Sequence, residues 1–142
     1  MTTQAQDAER AAGFPVLTPA YIPDGFELKE IWVWPGLPDQ GRRSMQQVYR
    51  DGTRATLTVA HAPVEGSAGT VTAPEEDVRE VDVGDSKGLL VYGALRQEEG
   101  SSYWVEGPVT LRFYHRGEAV RITVTGATLS DDELIRVASS IP

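Results

Sequence analysis

The sequence predicts an α+β domain, in which an antiparallel sheet of six to seven strands packs against a C-terminal helix. Apolar runs with a period of two are joined by short turns, as in consecutive β-hairpins. The C-terminal residues carry the cap and the apolar stripe of an amphipathic helix. The chain has 142 residues, which fits a single domain spanning residues 1–142, with a core of about 14–142.

The N-terminal part predicts a short helix followed by an extended segment. Residues 4–12 are good helix formers and Gly13 supplies a stop, so residues 1–13 are an N-terminal helix or tail. Prolines then exclude helix and keep the chain extended. They stand at Pro15, Pro19 and Pro23. The stretch IPDG, residues 22–25, has the residue order of a type I turn. We interpret residues 14–30 as a stiff brace that leads into the first strand.

The strands are predicted from alternating apolar residues bounded by turn residues. Their ranges are Glu27–Trp34, Ser44–Arg50, Arg54–Ala62, Val78–Val83, Gly88–Leu95, Val109–His115 and Glu118–Gly126. A further short strand is predicted at Ser102–Glu106. Residues 63–77 form a long polar loop, of the kind that is usually mobile or functional.

The C-terminal helix has the best-defined start in the chain. Ser130 is the N-cap and Glu133 completes a capping box, while Leu129 and Leu134 are spaced as a hydrophobic staple. The helix also carries an apolar stripe, which needs a partner surface. The stripe consists of Leu134, Val137, Ala138 and Ile141. We expect the apolar face of the sheet to be that surface.

Composition and charge exclude several classes of protein. The 13 basic and 21 acidic side chains give a net charge of −8, which opposes binding to nucleic acid and to anionic lipid. Cysteine is absent, so there is no disulfide framework or thiolate metal site. No apolar run approaches the roughly 18 residues of a membrane span, and the first residues lack the apolar core of a signal peptide. We expect no membrane insertion by this segment, which is either cytoplasmic or a domain of a longer anchored chain.

One stretch resembles a catalytic motif. Residues Gly84–Gly88, GDSKG, match the G-x-S-x-G nucleophile elbow, which requires a strand before the serine and a helix after it. The residues that follow are strand-like, so we interpret the stretch as a hairpin turn. A small hydrolase that uses Ser86 and His115 is the least supported alternative. His61 and His115 lack the spacing of a metal motif, so we expect structural histidines, no catalytic residues, no metal and no cofactor.

Aromatic residues supply the candidates for a binding surface. Trp32 and Trp34 share one face of the first strand with Leu28, and both tryptophans cannot easily be central core, so one should lie at a rim or an interface. Aromatic residues on strands otherwise belong to cores or cross-strand pairs. The candidate ligand- or partner-binding residues are Tyr21, Trp32, Trp34 and Trp104.

The two ends of the chain carry a resemblance. FPVLTPAYIPDGFEL at 14–28 and GATLSDDELIRVASSI at 126–141 resemble the opening and closing signatures of an uncharacterised bacterial domain family, and 81–84 and 111–126 match between them. That family occurs as the extracytoplasmic domain of anti-sigma factors and in lipoprotein-like exported proteins. The resemblance implies a curved, half-barrel-like antiparallel sheet and a domain tethered in a longer chain outside the cytoplasmic membrane. It implies no catalytic residues.

Two functional hypotheses follow. The first is a non-enzymatic sensor or protein-interaction domain of an anti-sigma-type regulator, with a protein partner on the open face of the sheet or on the 63–77 loop. The alternative is a module for a small hydrophobic ligand or lipid, held between the sheet and the C-terminal helix.

Overall fold

The computed structural model describes residues 16–34, 44–52, 55–63, 75–126 and 129–142. The strands are β1 (Glu27–Trp34), β2 (Ser44–Arg50), β3 (Thr56–Pro63), β4 (Val78–Val83), β5 (Ser86–Glu98), β6 (Ser101–His115) and β7 (Glu118–Thr125). A 3₁₀ turn, Glu75–Asp77, precedes β4, and the helix α1 is Asp131–Ser139. The predicted N-terminal helix and most of the predicted 63–77 loop lie outside the described residues, and the single-domain assignment stays a prediction.

The strands form one antiparallel sheet in the order β1-β2-β3-β7-β6-β5-β4. Two meanders, β1 to β3 and β4 to β7, are joined where β3 pairs with β7. Among the described strands, β1 and β4 are the edges, so the sheet that they form is open. The predicted α+β class, with seven antiparallel strands and a C-terminal helix, is confirmed.

The inner face of the sheet, which α1 covers, holds the core. Residues directly opposite each other in antiparallel strands share a face, so the register defines continuous rows across the sheet. One inner row consists of Ile31, Gln47, Val59, Ile122, Leu111 and Leu90. The apolar side of α1 packs on this face and is buried, as predicted, at Leu134, Val137 and Ala138. Ile141, the fourth predicted residue of the stripe, is also buried but follows the end of the helix.

A buried polar network fixes the brace segment, residues 16–26, to the inner face. The Leu17 N–H donates to His61 Nε2 at 3.3 Å, and Gln47 Nε2 donates to the Leu17 carbonyl at 2.9 Å. Gln47 Oε1 accepts from the Tyr49 hydroxyl at 2.7 Å. Because His61 Nε2 accepts, its proton is on Nδ1, which lies 2.9 Å from Glu118 Oε1. Burial lowers the pKa of His61 and raises the pKa of Tyr49 to about 12.

The same segment is fastened to α1. The N–H of Ala20 donates to the Ser140 carbonyl at 3.2 Å, and the N–H of Tyr21 donates to Ser140 Oγ at 3.0 Å. The Tyr21 hydroxyl donates to Glu133 at 2.6 Å, and this hydrogen bond raises the pKa of Tyr21. The Arg136 guanidinium lies 4.0 Å from the centre of the Tyr21 ring. Residues 16–26 are therefore a brace between the sheet and the helix.

At the start of α1, only one of the two hydrogen bonds of the predicted capping box is formed. Ser130 Oγ accepts from the Glu133 N–H at 3.1 Å, as an N-cap should. The Glu133 carboxylate does not complete the capping box, because it accepts from Tyr21 instead. Asp131 accepts from Arg79 and from the Tyr92 hydroxyl, each at 2.6 Å, and so ties the helix to β4 and β5.

Two local predictions in the first strand region are wrong. The turn before β1 is shifted by one residue, because the Phe26 N–H donates to the Pro23 carbonyl and Gly25 takes a φ of 90°, as in a type II turn. A bulge between Leu28 and Glu30 then changes the register. Leu28 is opposite Tyr49 of the inner face, so it does not share the face of Trp32.

Strands β5 and β6 are longer than predicted, since β5 begins at Ser86 and β6 is continuous through Gly107. Their register shifts between Tyr92 and Ala94, where Gly93 takes a φ of 109°. The Trp104 indole lies over Gly93: a Cβ on that glycine would be 2.5 Å from Trp104 Nε1. The indole ring therefore requires glycine at this point of β5.

Candidate functional site

The outer face of the sheet, opposite α1 and the brace segment, holds the candidate site. Its central row crosses all the strands, and neighbouring residues in it are about 4.8 Å apart along the hydrogen-bonding direction. The row runs Trp32, Gln46, Ala60, Arg121, Arg112, Leu89 and Glu80. Each of these side chains is partly buried or exposed. The sheet thus presents one continuous row of side chains to its surroundings.

A second row on the outer face consists mainly of short polar side chains. Thr58, Thr123 and Thr110 stand side by side at its centre, and the hydroxyls of Thr110 and Thr123 are 3.1 Å apart. Val48 and Val91 flank the threonines and are buried, with 5% and 7% of their surface exposed. The centre of this row therefore places three threonine hydroxyls beside the arginines of the central row.

Arg112 and Arg121 are directly opposite each other on β6 and β7. In the described part of the chain, five other basic side chains have partners: Lys29 with Glu27, Arg50 with Glu30, Arg79 with Asp131, Lys87 with Asp82, and Arg136 with the Tyr21 ring. Arg116, in the exposed turn between β6 and β7, has no ion pair with a described residue. Within the described residues, Arg112 and Arg121 form no ion pair and no side-chain hydrogen bond. Like charges directly opposite each other destabilise a sheet, so the Arg112–Arg121 pair is unfavourable for the stability of the domain.

A shallow depression of about 200 Å³ lies beside the arginine pair. Small side chains form its floor, at Ala60, Ala62 and Ala119. Arg112 and Arg121 line it on one side, and Ser44 and Gln46 on the other. A guanidinium donates hydrogen bonds in a planar fork that matches carboxylates and other planar anions, so the depression has the chemistry of an anion site.

The predicted binding residues occupy separate parts of the structure. Trp32 lies in the central outer row, and its indole N–H donates to Glu30 at 2.9 Å. That hydrogen bond, together with the one from Arg50, lowers the pKa of Glu30. The backbone of Trp34 pairs with Ser44, and its side chain lies outside what the structure describes.

Tyr21 and Trp104 lie away from the outer row. Tyr21 belongs to the brace segment and contacts α1. Trp104 is on β6 beyond the register shift, opposite Leu95, and its indole N–H is buried with no hydrogen-bond partner among the described residues. The structure therefore does not bring Tyr21, Trp32 and Trp104 together. The binding role of each of the four residues stays a prediction.

The arginine pair was not predicted, although the sequence of the turn between β6 and β7 contains the information needed to predict it. The hairpin between β6 and β7 turns through Arg116 and Gly117, which take φ angles of 50° and 79°. A two-residue turn of this type fixes the register of the strands on both sides. Counting outward from it places Arg112 opposite Arg121.

The stretch GDSKG lies in a β-hairpin. Gly84 and Asp85 form the turn, and Ser86 is the first residue of β5, paired with Val83. The interpretation as a hairpin turn is confirmed, so the motif gives no support to a hydrolase. His115 Nε2 lies 2.9 Å from the Pro142 carbonyl. Among the described residues, no three His, Asp or Glu side chains are grouped closely enough to hold a metal.

A hydrophobic ligand between the sheet and α1 would need space on the inner face. The described side chains that meet there pack in one cluster. Leu57, Leu111 and Ile122 of the sheet and Leu134 and Val137 of α1 are each 0% exposed. The ligand-binding alternative stays a prediction, which native mass spectrometry for bound lipid would test.

Comparisons with known proteins add little to this geometry. No protein-family model matches the chain, and no curated protein matches it. The chain is similar to a solved structure described as "Crystal structure of MucB in complex with MucA(peri)", at 16% identity and a TM-score of 0.43. The match covers 89% of this chain and 37% of that one, so this chain spans little more than a third of its length. A likeness at this level carries no argument about function, and the family suggested by the terminal motifs stays a prediction.

Proposed function

We propose that this chain is a non-enzymatic protein-interaction domain whose outer sheet face receives a segment of a partner protein. The difference between the two faces of the sheet carries the proposal. The brace segment and α1 cover the inner face, whereas the central outer row is exposed or partly buried from Trp32 to Glu80. Among the described residues, no helix or strand packs over this row.

The composition of the outer face fits protein recognition. Tryptophan and arginine are enriched where proteins bind each other, and the central row carries Trp32, Arg112 and Arg121. The threonine row beside it offers hydroxyls that both donate and accept hydrogen bonds. The surface is built on strands whose inner side chains are locked in the core, so it is rigid before the partner arrives.

The regulatory part of the proposal rests on the terminal motifs. Residues 14–28 and 126–141 resemble the signatures of an extracytoplasmic domain of anti-sigma factors, so we place the domain outside the cytoplasmic membrane, tethered in a longer chain. A partner on the outer face would stabilise the folded domain by mass action. Release of the partner would remove that stabilisation and expose the anti-sigma-type regulator, of which this domain would be a part, to proteolysis. Within the described residues, no helix is long and apolar enough to cross a membrane.

Site-specific photocrosslinking in cells of the source organism tests the proposal. A benzoylphenylalanine at Thr58 or Thr123 is on the outer face, and one at Ser139 is exposed on α1 as the matched control. We expect one adduct of discrete mass from Thr58 and Thr123, and none of that mass from Ser139. The absence of a protein adduct from both outer positions, or the same adducts from all three positions, contradicts the proposal.

A further inference from the structure

We propose that Arg112 and Arg121 form a clamp for a carboxylate, and that the partner segment received by the outer face is therefore acidic. This inference rests on the proposed function and names the chemistry of the partner. The clamp is the arginine pair itself, together with the depression beside it.

The first argument is the unbalanced charge of the pair. The two guanidiniums start from directly opposite positions on β6 and β7, and neither is bonded to a described acidic side chain. In the described residues, the outer-face positions of β2, β3, β7 and the β7-paired part of β6 carry no acid at all. They are Ser44, Gln46, Val48, Arg50, Thr56, Thr58, Ala60, Ala62, Ala119, Arg121, Thr123, Thr125, Thr110, Arg112 and Tyr114. In a chain of net charge −8, this acid-free surface is a local exception.

The second argument is the shape beside the pair. The alanine floor at Ala60, Ala62 and Ala119 leaves a depression of about 200 Å³ that the two arginines border. An aspartate or glutamate side chain entering it would meet two guanidinium forks from one side. Such charge-assisted, bidentate hydrogen bonds are among the strongest that side chains form. The anion would also offset the repulsion between the two arginines, which are like charges directly opposite each other in the sheet.

The third argument is the width of the positive surface. In the central row, Glu80 stands two strands from Arg112, and Glu30 lies on β1 at the other edge of the sheet. The positive region is therefore only a few strands wide. Nucleic acid and anionic membranes require extended basic surfaces, which this acidic chain does not offer. A short acidic peptide segment fits the narrow region by charge complementarity.

The test is a titration of the ¹⁵N-labelled domain with pentaglutamate, followed by the Nε–H resonances of the arginines. We expect saturable shifts of the Arg112 and Arg121 resonances, and none with pentaglutamine. In Arg121→Gln the Kd for pentaglutamate should rise at least tenfold. The matched control is Arg50→Gln, which removes one positive charge from the same face at a residue already paired with Glu30. It should leave the Kd within about twofold.

Several results would overturn the clamp. They are the absence of saturable shifts up to about 10 mM pentaglutamate, equal binding of pentaglutamine, and an unchanged Kd in Arg121→Gln. Tighter binding of inorganic phosphate, or of vesicles that contain phosphatidylserine, would overturn the acidic peptide in favour of a phosphate group. Thermal unfolding of each variant checks that the fold is intact.

The two proposals fail separately. If crosslinks form at Thr58 and Thr123 but pentaglutamate does not bind, the interaction domain stands and the acidic partner is wrong. If pentaglutamate binds at the arginines but no crosslinked protein is found, the carboxylate clamp stands and the proposed function is wrong.

Discussion

The two faces of one sheet show how the same strands serve stability on one side and recognition on the other. In β7, Val120, Ile122 and Val124 point inward and are at most 2% exposed, while Arg121 and Thr123 alternate with them on the outer face. Inner-face polar groups are bonded within the buried network, whereas outer-face Arg112 and Arg121 have no described ion-pair partner. Polar groups that are buried must find partners to avoid a desolvation cost, and polar groups in contact with water need not. The unbonded groups are therefore available for binding.

The largest difference in stability between the two faces is expected when the neighbouring β3 residues Leu57 and Thr58 are each replaced by alanine. Leu57 is 0% exposed, so Leu57→Ala should lower the free energy of unfolding by about 2–5 kcal/mol, through lost burial and the cavity left behind. Thr58 points to the outer face, and Thr58→Ala should cost less than about 1 kcal/mol. Urea denaturation of both variants measures the contrast. Equal losses would show that the outer face is as well packed as the inner face.

The next largest contrast uses neighbouring glutamines in β2. Gln47→Met should lower the free energy of unfolding by about 1–3 kcal/mol, because the Leu17 carbonyl and the Tyr49 hydroxyl lose their partners. Gln46→Met is the control: Gln46 lies on the outer face, so its change should stay within about 0.5 kcal/mol. Chemical denaturation again gives the values. If Gln47→Met proves neutral, the network does not hold the brace segment.

The pH dependence of stability should come from the inner face. Because burial lowers the pKa of His61 below its ordinary value of 6.5, the unfolded chain takes up a proton before the folded one does. The contribution of His61 is therefore fully present above pH 6.5 and is lost as the pH falls below it. The melting temperature should therefore fall as the pH is lowered from about 8 to 5. This dependence should be weaker in His61→Gln and unchanged in His115→Gln. A dependence that follows His115 instead would contradict this assignment.

The smallest expected effect has the opposite sign and lies on the outer face. Arg112→Gln removes a like-charge pair, so the free energy of unfolding should stay equal or rise by about 0.2–1 kcal/mol. The gain should shrink at high salt, which screens exposed charges. Arg50→Gln breaks an ion pair and should not stabilise the domain. A clear loss of stability in Arg112→Gln would mean that the arginine has a structural partner.

The period-two pattern predicted most of the sheet, because alternation depends only on which side chains leave water. The inward residues of β7 follow from it directly, and the buried residues of α1 follow in the same way from the helical period of 3.6. The pattern failed at Lys29, where the bulge shifts the register by one residue. A bulge is set by pairing with another strand, so it leaves no trace in the strand that contains it.

The buried network and the candidate site depend on contacts distant in sequence. His61 was predicted to be a structural histidine, but its pairing with Glu118 and Leu17 requires β3, β7 and the brace segment to meet. Glu133 was predicted from local spacing to cap its own helix. Its carboxylate instead accepts a hydrogen bond from Tyr21, which is more than a hundred residues away. Local rules describe each element, while the partner of a polar group is chosen by the tertiary fold.

The junction between β3 and β7 also has a consequence for how the chain reaches its fold. Each meander closes through neighbouring strands, but β3 can pair with β7 only after the whole stretch from β4 to β6 has been looped out. Closing a long loop costs entropy before its contacts repay it, so this pairing should form late and limit the folding rate. Until then β3 and β7 are both unpaired edges with apolar inner sides, and the newly made chain is most prone to associate with other copies in that interval.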